Sequence, residues 1–114
     1  DLDRDGTLEV IAADMRGRVY AWSRAGALRP GFPVATLPQY SNTWRSERAT
    51  ATPEGQVPDR INRHDRDNQV ARGIVGGVSL GNLDGSPDGS LEIVAGALDR
   101  HVYAWRHDGS PLPG

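Results

Sequence analysis

An internal repeat limits how this chain can fold more than any other feature. Residues 5–31, DGTLEVIAADMRGRVYAWSRAGALRPG, align without a gap on residues 88–114, DGSLEIVAGALDRHVYAWRHDGSPLPG, so the second copy begins 83 residues after the first. Both copies carry Asp-Gly, Leu-Glu, Val-Tyr-Ala-Trp and Pro-Gly in the same frame. A repeated unit of this size buries its apolar face mainly against its neighbours, so the architecture must be one that stacks equivalent units.

Each copy reads as short strands. Residues 8–12 and 91–95 are rich in β-branched and small apolar side chains and follow an Asp-Gly turn signal. In the next segment Val19 and Ala21 alternate with Tyr20 and Trp22, as Val102 and Ala104 do with Tyr103 and Trp105. That period of two places small residues on one face and aromatic residues on the other, which argues for a strand and against a helix. Gly26 and the Asp108-Gly109 pair supply turns, and Pro30-Gly31-Phe32-Pro33 or the segment from Pro111 opens an edge strand, where proline is tolerated. Residues 73–83, GIVGGVSLGNL, read as a further strand. The expectation is an all-β chain with about four antiparallel strands per repeat, the pattern of a β-propeller blade. The chain holds fewer than two such blades: a partial blade at residues 1–34, a polar insertion at 35–72 and a second blade at 73–114. Its abrupt start at Asp1 predicts a fragment of a longer protein, with the remaining blades supplied by the same protein or by partner chains. Taken alone, the fragment is expected to expose the faces of Trp22 and Trp105.

Residues 35–72 keep neither a period of two nor one of 3.6, and Pro, Ser, Thr, Asn, Arg and Asp dominate them. Tyr40 and Trp44 are the aromatic anchors of this segment, and residues 59–68, DRINRHDRDN, are a mixed-charge run that reads as a solvated loop.

Composition removes several kinds of chemistry. Thirteen basic and fifteen acidic side chains leave a formal charge of −2, which provides no net field for gathering nucleic acid or an anionic membrane. There is no apolar run long enough to insert in a membrane as a helix. With no Cys there is neither a thiolate nucleophile nor a Cys-based zinc site, and because all thirteen basic residues are Arg, Schiff-base and Walker-type lysine chemistry are absent.

What remains lies in two acidic loops. Asp1, Asp3 and Asp5 alternate, followed by Gly6 and Glu9, giving D-x-D-x-D-G-x-x-E. Three carboxylates spaced by two in a tight turn repel one another unless they converge on a hard cation, and Ca²⁺ accepts about six to eight oxygens in irregular geometry. Gly6 permits the turn, the backbone carbonyl of Thr7 adds a seventh-position ligand, and Glu9 adds a ninth. An EF-hand requires its bidentate Glu at the twelfth position, which is Ala12 here. The second copy reads N-L-D-G-S-P-D-G-S-L-E over residues 82–92. It matches the first if Ser86 and Pro87 are inserted, so that Asn82, Asp84, Asp88, Ser90 and Glu92 take the equivalent places. A neutral amide at the first position and a longer loop predict weaker binding there. Oxygen-only sites of this kind clamp a turn more readily than they catalyse, so no catalytic or cofactor-binding residue is assigned.

On these motifs residues 1–34 and 73–114, about two thirds of the chain, resemble FG-GAP/VCBS-type repeats, found in bacterial secreted proteins and in the propeller of integrin α-subunits. The resemblance implies a β-propeller with Ca²⁺ in the loop joining the first two strands of a blade. It also implies an extracellular setting, secreted or at the cell surface, and a role in adhesion or in recognising a protein or glycan ligand. Asp1, Asp3, Asp5 and Glu9 map onto the loop's ligand positions, as do Asn82, Asp84, Asp88 and Glu92. Glu at the ninth place leaves two roles open, as a ligand or as a contact to the adjoining strand, and the Ser86-Pro87 insertion is placed to displace a second ion.

The leading expectation is a non-catalytic, calcium-stabilised recognition scaffold. A propeller-type polysaccharide lyase is the alternative, for which the sequence offers the arginines of the insertion and His64. A quinone-dependent dehydrogenase propeller is a weaker one, since its usual repeat pattern is missing. His101 and His107 flank the second Val-Tyr-Ala-Trp strand as strand-end residues, and the paired aromatics read as blade packing ahead of a sugar-stacking platform.

Overall fold

The structure, a computed structural model, describes residues 1–40 and 72–113. The described part of the chain is all-β, with one short 3-10 turn at Pro38–Tyr40 and no α-helix. The first copy forms β1 (Val10–Ala13), β2 (Arg18–Trp22) and β3 (Val34–Ala35), and the second contributes β4 (Ser79–Gly81), β5 (Glu92–Gly96) and β6 (Val102–Trp105). They make two three-stranded antiparallel sheets, ordered β1-β2-β3 and β4-β5-β6.

Four strands per copy were expected and each sheet has three, but not the same three. Through the repeat β1 is equivalent to β5 and β2 to β6. The second sheet therefore has a strand before this pair, and the first has one after it. Residues 73–83 form a shorter strand than their sequence suggests because other partners take their backbone groups. Gly73 O accepts from Leu98 N at 2.9 Å and Ile74 N donates to Asp14 O at 3.1 Å, leaving Ser79–Gly81 for the ladder. The expected strands at 8–12 and 91–95 both start later, at Val10 and Glu92.

The hairpins explain themselves locally. Between β1 and β2 the Asp14 carboxylate accepts the N–H groups of Arg16 and Arg18, both at 2.9 Å, and Gly17 takes a φ of 77° to close the turn. The β5–β6 turn repeats this with Asp99 accepting from His101 N at 3.0 Å, and Arg100 sits at φ 71° in the place of Gly17. Each aspartate also accepts from the tyrosine of the following strand, Tyr20 at 3.1 Å and Tyr103 at 2.5 Å. The hydroxyl of Tyr103 in turn accepts from Leu37 N at 3.3 Å, tying the exit of β3 to the second sheet. Burial, and then the bond to Asp99, push the Tyr103 hydroxyl up to about 12.

The pleat decides how the sheets meet. Cross-strand pairing puts Ile11 beside Ala21 and Ala13 beside Val19, so these small side chains share one face of the first sheet. In the second sheet Ile93 pairs with Trp105 and Ala95 with Tyr103, which makes that face the aromatic one. Val19 and Ala21 join Ile93, Ala95 and Trp105 in one buried cluster, completed by Leu2, Phe32, Val34 and Ile74. The small face of one copy thus packs on the aromatic face of the other. Trp105, expected to be exposed, is only 5% accessible because the first copy covers it, whereas Trp22 is half-buried and stacked on Tyr20 at 5.3 Å.

The backbones of the two copies also touch. Gly31 and Gly109 both adopt positive φ, and a Cβ on Gly31 would collide with the Asp108 carbonyl. Gly31→Ala is therefore expected to cost clearly more than the roughly 1 kcal/mol of the left-handed backbone alone. Gly26→Ala, also at positive φ but with open space around it, should cost only about that much. Urea unfolding midpoints of the two variants check the difference.

Candidate metal centre

The first acidic loop is shaped by Glu9. Its Oε2 accepts the backbone N–H of Leu2 at 2.6 Å, which folds residues 1–8 back over the start of β1. The side chain of Glu9 is 1% exposed. Arg4 and Gly6 take φ values of 63° and 87° to complete the turn, and Gly6 N donates to Asp1 Oδ2 at 3.2 Å. The result brings carboxylate oxygens of Asp1, Asp3 and Glu9 within 4.8 Å of one another. This is the one group of three or more such ligands among the described residues.

A guanidinium enters this group from a distant part of the chain. Arg29 Nη2 donates to Asp3 Oδ2, and Arg29 Nη1 stands 3.0 Å from Glu9 Oε1. The hydrogen bond from Arg29 holds the Asp3 carboxyl below the usual carboxylate range, and the same bond raises the guanidinium, so both stay charged. Glu9 Oε1 is thus ion-paired, while two buried carboxylate oxygens, Asp1 Oδ1 and Asp3 Oδ1, accept no hydrogen bond. Buried acceptors of that kind are costly, and a cation is the partner that satisfies several at once.

Not every residue singled out from the sequence joins them. Asp5 Oδ1 is used locally, accepting from Thr7 N at 2.7 Å and Thr7 Oγ1 at 2.6 Å, and Asp5 lies outside the group. Of Glu9's two oxygens, Oε2 contacts backbone, at Leu2 N of its own loop, and Oε1 stands 3.0 Å from Arg29 Nη1 beside the aspartates. Sequence reasoning missed Arg29. The signal was available in the alignment of the copies, where Arg29 corresponds to Leu112.

The second loop keeps the clamp and loses the convergence. Glu92 is buried, and its Oε2 accepts from Leu83 N at 2.6 Å, the same bond on the equivalent leucine. Beyond that the loop closes on itself. Asn82 Nδ2 donates to Ser86 O at 3.0 Å, and Asp84 Oδ1 accepts from Ser86 N at 3.0 Å. Asp88 Oδ1 accepts from Ser86 Oγ at 2.6 Å and from both N and Oγ of Ser90 at 2.9 Å. Those bonds, led by the Ser86 hydroxyl, bring the Asp88 carboxyl down to about 2. Asp88 thus turns on its own loop through Ser90 as Asp5 does through Thr7, and Ser86, half of the two-residue insertion, adds a further bond. His64 and Trp44, and the mixed-charge run at 59–68, lie outside the described residues.

No protein family matches this chain, and neither a curated protein nor a solved structure is significantly similar to it.

Asp3 and Asp88, a depressed aspartate in each loop, fix a direction of acid sensitivity. A carboxyl with a lower pKa in the folded state than in the unfolded one stabilises the fold above its unfolded value of 3.8, and that stabilisation is lost as pH falls through the folded value. The thermal midpoint is expected to fall from about pH 4 towards about pH 2, and to fall less steeply in Asp88→Asn, as calorimetric scans across that range will measure.

Proposed function

We propose that this chain is a calcium-stabilised part of a β-propeller of the FG-GAP/VCBS repeat type, a non-catalytic scaffold of a secreted or cell-surface protein that serves recognition or adhesion. The observation that carries the reading is the meeting of Asp1, Asp3 and Glu9, with one buried oxygen each of Asp1 and Asp3 accepting no hydrogen bond. The donor set is entirely carboxylate oxygen, which suits a hard cation and gives no soft or nitrogen ligand for zinc or copper. Asp1, Asp3 and Glu9 would hold the ion, and its charge would offset their mutual repulsion and fix the loop against β1. Among the described residues three such ligands converge at the first loop, while Asp84 and Asp88 of the second are engaged by their own loop, which makes the first the stronger site.

The propeller part of the reading rests on strand order and on faces. Overlaid through the repeat, the two sheets supply four consecutive strand positions, one present only in the first sheet and one only in the second. The pairing of a small face with an aromatic face leaves the complementary faces open. Val10, Ala12, Tyr20 and Trp22 lie on one, and Val94, Gly96, Val102 and Ala104 on the other, with Val10 62% and Val102 74% accessible. Further blades stacked in the same sense would cover both. The ligand such a scaffold recognises, a protein or a glycan, would be met outside these packing faces.

Calorimetric titration of the metal-stripped chain is expected to give calcium uptake in preference to magnesium, lost in an Asp1→Asn, Asp3→Asn double variant. At a hundredfold excess over Kd the ion should add about 2.7 kcal/mol to stability. A folded chain that takes up no calcium overturns the metal reading and leaves the architecture to be judged on its own.

A further inference from the structure

The joint between the two copies is built from two unlike halves, and the molecule carries a second, unused set of both. In the internal joint the small face of the first sheet meets the aromatic face of the second, with Val19 and Ala21 clustered beside Ile93 and Trp105. Through the repeat, Val10 stands where Ile93 does and Trp22 where Trp105 does, on the open face of the first sheet. Val102 and Ala104 stand where Val19 and Ala21 do, on the open face of the second. Val19 and Ile93 are fully buried, whereas Val102 is 74% and Val10 62% accessible. The backbone seam is duplicated too. Leu91 N donates to Leu2 O at 2.9 Å across the internal joint, and the equivalents of these two residues, Leu8 and Leu83, are both exposed. The open aromatic half already has the shape in which its counterpart is buried. Tyr20 stacks on Trp22 at 5.3 Å and 5°, as Tyr103 stacks on Trp105 at 5.7 Å and 9°. A surface held in that form loses little freedom on being covered.

Resting on the stacked-sheet part of the reading above and independent of its calcium part, we infer that molecules of this chain associate head to tail. The small face of the second sheet of one molecule docks on the aromatic face of the first sheet of the next, reproducing the internal joint. A second copy of this chain carries the matching half for each open face. Because the joint is heterologous, each molecule keeps a free end after docking, and association runs past the dimer until the rotation closes a ring. Gly85 stands in the place of Arg4, so the bond from Arg4 Nε to Gly89 O has no counterpart and the joint between molecules is weaker than the internal one.

Sedimentation velocity on the full chain, from about 10 μM to about 1 mM, is expected to show a mass that rises with concentration. Val10→Glu blocks the aromatic end and Val102→Glu the small end, both at accessible positions, and each should lower the association constant at least about tenfold. Mixed in equal amounts, the two variants keep one intact half each and should form a dimer and nothing larger. Ala12→Glu and Gly96→Glu, on the same two faces, repeat the experiment so that a valine variant that fails to fold leaves the measurement intact. A folded wild type that stays monomeric overturns the inference and leaves the open faces to further blades or a different partner. Association that survives both blocks, or a mixture that yields no dimer, overturns it as well. Failure of the stacked-sheet reading itself is told apart by Trp105→Ala, whose urea midpoint falls if the internal joint holds the sheets together and stays unchanged if it does not.

Discussion

A buried glutamate bonded to the backbone of its own loop is the constraint on which the rest of this structure depends. Glu9 holds Leu2 N and Glu92 holds Leu83 N, each at 2.6 Å. A hydrogen bond to a charged acceptor contributes about 1.5–3 kcal/mol, and a buried carboxylate without one is strongly unfavourable. With the bond made, Leu2 is placed at the centre of the core, fully buried, and its carbonyl is free to accept from Leu91 N at 2.9 Å. The acidic loop of the first copy is thereby joined to the strand entry of the second. Arg4 adds to the same seam, its Nε donating to Gly89 O at 2.8 Å. The loop is therefore part of the contact between the copies as well as the candidate ion site.

That contact has a direction. A sheet whose two faces differ, one small and one aromatic, can stack on its own repeat in only one sense without leaving either a void or a clash. Val19, Ala21 and Trp105 share one buried cluster, to which the first sheet brings small side chains and the second a large aromatic one. The same physics explains why equivalent residues have unequal burial. Val19 is fully buried and Val102 is 74% accessible, although they align in the repeat, because only the first copy's small face has a neighbour.

The repeat, the strand character and the alternation of small and aromatic residues were all legible in the sequence, because they depend on local pattern and on self-similarity. The burial of Trp105 was not, since it depends on which face meets which, and a period of two gives the faces without their partners. The acidic spacing pointed to the first loop, where Asp1, Asp3 and Glu9 come together, but also counted Asp5, which does not join them. Asp5 is drawn off by Thr7, a competition within the turn that spacing alone does not weigh. Arg29 enters from 26 residues away through the fold of the hairpin, so only the mismatch with Leu112 marked it.

The two loops start from nearly the same residues and satisfy their charge differently. In the second, hydroxyls of Ser86 and Ser90 and the amide of Asn82 meet the loop's acceptors, and Arg106 Nε stands 3.6 Å from Asp84 Oδ2 at the rim. In the first, Asp1 stands where Asn82 does, Ser86 has no counterpart, and Thr7, at the place of Ser90, donates to Asp5. Neutral donors let a turn hold its shape unaided, whereas convergent carboxylates give the turn a shape that depends on positive charge. Arg29 supplies one unit of that charge from a fixed hairpin and leaves buried oxygens unpaired beside it. Asn82 in place of Asp1, together with the Ser86-Pro87 insertion, therefore separates a loop whose aspartates are engaged locally from one whose carboxylates converge beside Arg29, within a single repeat and on the same glutamate clamp.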